Sequence, residues 1–234
     1  MAKVKVAIVG ASGYTGEELV RLLLSHPAVE LTCVTSRQQA GQPVARAFPK
    51  FAGRPGVAGL VFSEPKVDEI AARADVAFLA LPHGVAAEFA GPLLDKGVRV
   101  IDLSADFRLK SADVYKEFYA HDHPAPALLR KAVYGMPEIR REDVRKARLI
   151  ASPGCYPTSI ILGAAPALKS KRVKSAGIVA NSLSSPSGTV ASWSGGTPIA
   201  TSRCPTIRLS ELAVGALGNP TPGMRMSARS RRWS

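Results

Sequence analysis

In the stretch ASPGCYPT, residues 151–158, a cysteine stands between a Pro-Gly pair and Tyr-Pro-Thr. Four roles are open to Cys155: a small buried side chain, half of a disulfide, a metal ligand or a nucleophile. Its flanks bear on the choice. Gly154 permits a sharp turn. Pro157 suits the first turn of a helix, where a missing N–H is not needed. A thiol at a helix N-terminus sees partial positive charge, which favours the thiolate. Cys33, by contrast, lies inside the apolar run ELTCVTS, the setting of a structural thiol. The flanks therefore favour a nucleophile at Cys155, with a structural thiol as the alternative. The three cysteines, Cys33, Cys155 and Cys204, are far apart and lack a C-x-x-C pair. A disulfide framework, a structural zinc site or any other metal centre is not expected, and a reducing, cytoplasmic compartment is.

A second chemical signal lies near the N-terminus. VAIVGASGYTGEELVRLL sets Gly10, Gly13 and Gly16 between an apolar run and a helical pattern. Such a turn needs glycine for its backbone angles and for close approach of a pyrophosphate to bare N–H groups at a helix start. Ser12 and Thr15 add hydroxyls, and Tyr14 sits among them as a further candidate cofactor contact. The spacing is G-x-x-G-x-x-G, not the commoner G-x-G-x-x-G, and glycine turns of this kind often bind nothing. The run VELTCVT ends in Ser36 and Arg37. A dinucleotide fold selecting NAD usually has an acid there, whereas a hydroxyl and an arginine suit a 2′-phosphate, so NADP is the expected cofactor. A thiol beside a dinucleotide site points to attack on an activated acyl carbon and hydride delivery to the thioester.

These residues need a frame to hold them. Apolar runs at 3–9, 29–35, 75–81, 98–104 and 148–152 read as strands. Residues 15–26 have helical spacing, with Leu19, Leu22 and Leu23 on one face. GVAAEFAGPLLDKG also reads as a helix, despite Pro92, and another helix is expected directly after the cysteine. Strands alternating with helices and apolar on both faces predict an α/β fold with a parallel sheet. The run 175–185 is expected to open a further strand.

The 234 residues suffice for one large domain or two modest ones, and 46% of them are hydrophobic. No apolar run is long enough to span a bilayer, and the N-terminus leads straight into the glycine turn, so neither a membrane nor a signal peptide is expected. The net charge of +13 raises the question of nucleic acid. The charge is spread through mixed-sign segments without a dense basic tract, so phosphorylated small molecules are the expected partners and nucleic acid is not. From about 184 onward the chain has no Lys and is rich in Ser, Thr, Pro and Gly. That segment reads as loop or disorder, with RLSELAVGAL (208–217) its one helix-like piece.

Five motifs occur in order: GASGYTGEEL, LPHG (81–84), IDLSADFRL (101–109), VYGMPE (133–138) and ASPGCYPT. Together they closely resemble the N-acetyl-γ-glutamyl-phosphate reductases of arginine biosynthesis, cousins of the aspartate-semialdehyde dehydrogenases. The resemblance covers residues 1 to about 183. It implies a Rossmann-like NADP-binding domain over 1–149 and the start of a catalytic and dimerisation domain over 150–183. It also implies Cys155 as the nucleophile and Arg108 as an anchor for a substrate carboxylate or phosphate. LPHG, with Pro82, would lie near the cofactor, and His83 would line the site. His121 and His123 resemble a family loop and are not expected to bind metal. The implied reaction is NADPH-dependent reduction of N-acetyl-L-glutamyl 5-phosphate to the semialdehyde, in a homo-oligomer if the full family fold is completed.

The family's pattern continues with a histidine-containing motif that supplies the general base, and here no histidine follows His123. Residues 184–234 are therefore expected to be an atypical or out-of-frame tail. The alternative expectation is an NADP-binding remnant or sensor without catalysis.

Overall fold

The computed structural model describes residues 2–172 and the backbone strands at 179–181 and 206–208. The chain divides into two compact units between Thr158 and Ser159. In the first unit, β1 (Val4–Val9), β2 (Val29–Thr35), β3 (Phe62–Ser63), β4 (Val76–Leu79), β5 (Arg99–Asp102), β6 (Val133–Tyr134) and β7 (Leu149–Ala151) form one sheet. The strand order is β3-β2-β1-β4-β5-β7-β6, and every ladder is parallel. The chain moves outward from β1 to β2 and β3, then crosses back to β4 on the other side of β1. That reversal is the switch point of a Rossmann-like fold, and it opens a crevice beyond the C-terminal strand ends.

Helices cover both faces, which is why the central strands are apolar throughout. On one face α1 (Tyr14–Leu24) buries Val20 against Ile8, Val34 and Phe62. On the other, α3 (Val67–Arg73) and α4 (Ala86–Asp95) bury Ile70, Phe89 and Leu93 against Ala7, Val9, Leu79 and Val100. Each such large apolar side chain contributes roughly 1.5–3 kcal/mol. Along β1 the alternation is simple: Ala7 and Val9 face one layer and Ile8 the other. Along β2 it is not. The register skips Thr32, pairing Val6 with Leu31 and Ala7 with Cys33. This bulge sends Leu31 and Cys33 to opposite layers although they are two residues apart.

Two helices correct or refine the reading of the sequence. In α1 the inward stripe is Gly16, Leu19, Val20, Leu23 and Leu24, while Leu22, expected on the apolar face, is 49% exposed. In α4, Pro92 is tolerated because both it and Glu88, whose carbonyl loses its i+4 donor, lie on the exposed face where water can serve. The five expected strands form. The two-residue strands β3 and β6 are too short to show a period. Because β7 pairs with β5 and β6, residues 149–151 belong to the first sheet.

The remaining α-helices are, in chain order, α2 (Val44–Ala47) between β2 and β3, α5 (Ala112–Tyr119) and α6 (Pro126–Leu129) between β5 and β6, α7 (Pro137–Lys146) between β6 and β7, and α8 (Cys155–Lys169) after β7. In the second unit β8 (Val179–Asn181) and β9 (Thr206–Arg208) pair antiparallel. β8 falls within the run expected to open a strand. β9 falls within the segment read from composition as loop and takes in Arg208, the first residue of the helix expected at 208–217; the rest of that run lies outside the described residues, as does Cys204. Among the described residues no helix is long and apolar enough to cross a membrane.

Candidate active site

The chemistry-bearing residues of the first unit gather where the parallel strands end. The glycine turn follows β1, Ser36 and Arg37 follow β2, LPHG follows β4, Leu103–Arg108 follow β5, and Ser152–Cys155 follow β7.

The three glycines do different work. Gly10 has φ +84°, and a Cβ there would stand 2.4 Å from the Ala80 carbonyl oxygen and 2.8 Å from Leu81 Cδ2. It therefore lets the turn after β1 pack on the segment leaving β4. A Cβ at Gly16 would stand 2.5 Å from Ala11 Cα, so that glycine lets α1 lie on the turn itself. Gly13 is unlike both, because a Cβ there would meet nothing within 4 Å. It is the N-cap of α1, and no side chain caps that helix. Bare backbone at a helix start facing open space fits a pyrophosphate. Tyr14 is 92% exposed and Thr15 is exposed beside it.

The second strand end braces this turn. Thr35 receives Gly10 N–H on its hydroxyl at 3.4 Å and Ala11 N–H on its carbonyl at 2.8 Å. The Ser12 and Ser36 hydroxyls are hydrogen-bonded at 2.8 Å, and Ser36 Oγ also accepts Gln39 N–H at 3.2 Å. Ser36 is buried, so its hydroxyl serves the turn, while Arg37 is exposed at the rim.

At the other side of the switch point, Arg108 reaches from the loop after β5 to the loop after β7. Its Nε donates to the Ser152 carbonyl at 2.8 Å and its Nη2 to the Leu103 carbonyl at 2.9 Å. Its Nη1 lies 3.3 Å from where a Cβ of Gly154 would stand. Gly154 thus admits a guanidinium next to the cysteine turn; its φ lies outside the left-handed region, so the room for Arg108 and not the backbone angle is what glycine supplies there. Cys155 is the first residue of α8 and is exposed. The Thr158 N–H and hydroxyl both donate to the Gly154 carbonyl, at 3.1 and 2.9 Å, closing the first turn. Cys33 is buried, and burial pushes its thiol above the ordinary value, the behaviour of a structural cysteine.

LPHG is tied to the loop after β5. Ala105 N–H donates to His83 Nδ1 at 3.3 Å, while Pro82 and His83 are exposed. The His123 ring is wholly engaged: Nδ1 accepts Ala125 N–H at 2.9 Å, so Nε2 carries the proton and donates to the Asp106 carbonyl at 2.8 Å. Burial lowers its pKa, which keeps the ring neutral. His121 is exposed, its Nδ1 3.1 Å from the Asp122 carbonyl oxygen and its ring edge-on to Tyr115. Reasoning from sequence overlooked the two acids of IDLSADFRL. Asp102 and Asp106 are fully buried beside Arg108. The signal was available: aspartates at and just beyond a strand end must find partners if they are buried.

A model of the semialdehyde dehydrogenase NAD-binding domain matches residues 5–147. The chain is 58% identical over 189 residues to N-acetyl-gamma-glutamyl-phosphate reductase of Akkermansia muciniphila, covering 80% of this chain and 54% of that protein. It is 51% identical over 169 residues to the [LysW]-L-2-aminoadipate/[LysW]-L-glutamate phosphate reductase of Saccharolobus solfataricus, covering 72% of this chain and 47% of that protein. The chain therefore spans about half the length of the curated relatives it matches. In fold it is similar to an aspartate semialdehyde dehydrogenase with NADP from Candida albicans, with a TM-score of 0.55 at 16% identity over 72% of this chain and 48% of that one.

Proposed function

Because the chain belongs to the semialdehyde dehydrogenase family through its NAD-binding domain, we propose that it serves the reduction of an acyl phosphate to an aldehyde, with N-acetyl-L-glutamyl 5-phosphate as substrate and NADP as cofactor. The observation that carries this reading is the exposed Cys155 at the start of α8 with the Arg108 guanidinium beside the preceding glycine. The first-turn N–H groups of a helix and a fixed guanidinium together offer an anionic substrate a binding place next to the thiol. Identity to reductases of N-acetyl-gamma-glutamyl phosphate supports the choice of substrate.

In this reading the Cys155 thiolate attacks the acyl carbon. A carbon–sulfur bond forms as the carbon–oxygen bond to phosphorus breaks, and phosphate departs with that electron pair, taking a proton from solvent. Arg108 is already held by two carbonyls, so the remaining face of its guanidinium can meet a substrate phosphate or carboxylate at little reorganisation cost. NADPH, when bound, would supply a hydride to the acyl carbon held on Cys155, and Cys155 would leave that carbon as the thiolate, giving the aldehyde. Gly13 and the first N–H groups of α1 would hold its pyrophosphate, and Arg37 would meet its 2′-phosphate.

The test is single-turnover acylation. Incubation with N-acetylglutamyl phosphate is expected to release one equivalent of phosphate and add the acyl mass to the peptide containing Cys155. Cys155→Ala is expected to lose both. Phosphate release that survives this substitution unchanged would remove Cys155 from the reaction.

A further inference from the structure

Asp106 is fully buried, yet the reaction proposed above gives it no part. Its carboxylate accepts Gly84 N–H at 2.8 and 3.0 Å through its two oxygens and Ala87 N–H at 3.0 Å. The Tyr115 hydroxyl donates to it at 3.3 Å. Burial, with the carboxylate beside it, pushes the Tyr115 phenol well above its ordinary value, so the phenol stays a donor. The Asp106 main-chain carbonyl is fixed in turn by His123. A buried carboxylate needs such partners, and alone they would mark only a well-satisfied core acid.

What distinguishes Asp106 is the pair of segments it stands between. Gly84 ends the LPHG turn and Ala87 lies in the first turn of α4. The residues entering that turn, Ala80 and Leu81, are the ones packed on Gly10. Two positions further along its own loop, Arg108 holds Ser152 and flanks Gly154. One short loop therefore grips the nucleotide side of the crevice through a carboxylate and the thiol side through a guanidinium.

We infer that Asp106 is a positioning residue for the cofactor half of the site: it sets how the LPHG turn, with His83 on it, faces the crevice, while Arg108 sets the cysteine turn. The inference rests on the reading of the Gly10–Gly16 turn as the nucleotide site. Asp106 itself touches no reacting atom. Its effect runs through two backbone N–H groups that an amide cannot satisfy equally, because Asn offers one acceptor oxygen and turns an N–H₂ toward donors.

Three readouts on the whole chain test this: the dissociation constant for NADPH, the rate of Cys155 acylation, and the unfolding midpoint. Asp106→Asn is expected to weaken NADPH binding at least tenfold, and by a larger factor than it slows acylation. Tyr115→Phe removes one bond to the same carboxylate but none to the turn, and it is expected to move binding and acylation by similar small factors. Equal losses of both in Asp106→Asn, scaling with lost stability as in Tyr115→Phe, would reduce Asp106 to a structural acid. Hydrogen exchange of the wild type gives an answer that does not depend on either variant folding. Saturating NADPH is expected to slow the Gly84 and Ala87 amides further, and no change at either overturns the inference. A wild-type chain that binds no NADPH overturns the nucleotide reading and this inference with it. A wild type that binds NADPH no better than Asp106→Asn overturns this inference alone.

Discussion

Asp102 ends β5 with its side chain fully buried, accepting the N–H and hydroxyl of Ser104, both at 2.9 Å. Burial outweighs those bonds and raises its pKa from 3.8 to about 6, with the Asp106 carboxylate adding to the rise and Arg108 opposing it. The folded state therefore keeps a proton that the unfolded chain has already lost. The stability this group contributes is present below its ordinary pKa and is lost as pH rises through about 6, a fall on the order of 3 kcal/mol. Asp102→Asn preserves the shape, since an amide can accept from one Ser104 donor and give to the hydroxyl. Its stability relative to wild type, from urea unfolding, is expected to grow between about pH 4 and pH 7. A difference that stays constant across that window would show that Asp102 does not titrate there. At the rim of the crevice the expectation is about affinity. Arg37→Ala should weaken NADP roughly tenfold, the lower end for a charge-assisted bond because Arg37 is exposed, and should leave NAD nearly unchanged. Equal losses for the two nucleotides in calorimetry would show that Arg37 does not read the 2′-phosphate.

The glycine turn and the loop after β5 carry the site as elements, and they differ in how far the sequence discloses them. Glycine spacing announces a turn, but it does not say which glycine is there for packing and which for a ligand. The structure separates them. Gly10→Ala and Gly16→Ala would drive a methyl into backbone at 2.4 and 2.5 Å, so each is expected to lower stability by several kcal/mol. Gly13→Ala meets open space and is expected to cost under about 1 kcal/mol while removing most nucleotide affinity. An unfolding midpoint and a nucleotide titration on the three variants check this. A Gly13→Ala chain that binds normally would place the pyrophosphate elsewhere. The loop Leu103–Arg108 was far less legible. Its motif is visible as letters, but that Asp106 holds LPHG, and that Arg108 holds Ser152, are contacts between segments far apart in the chain. Leu22 shows the same limit on a helix. A leucine at the right spacing lies at the edge of the stripe, and only the packed sheet decides whether it is covered.

For the whole molecule, the alternation of apolar runs and helical segments was enough to expect a parallel sheet. The strand order was not, because no local feature says that β4 returns to the far side of β1. Parallel strands put the glycine turn and the cysteine turn at the same, C-terminal end of one sheet, and that crossing opens the crevice there, which is the arrangement the proposed reaction needs. The measurement that tests this most directly is the discharge of the acyl-enzyme. The chain is acylated with N-acetylglutamyl phosphate, freed of excess reagent, and followed by mass with and without NADPH. The expected result is that the acyl mass leaves Cys155 promptly only when NADPH is added, with one equivalent of NADPH oxidised and one of semialdehyde formed. An adduct that is lost at the same rate in both samples, with NADPH untouched, would contradict the account: the thiol and the nucleotide site would not then serve one reaction.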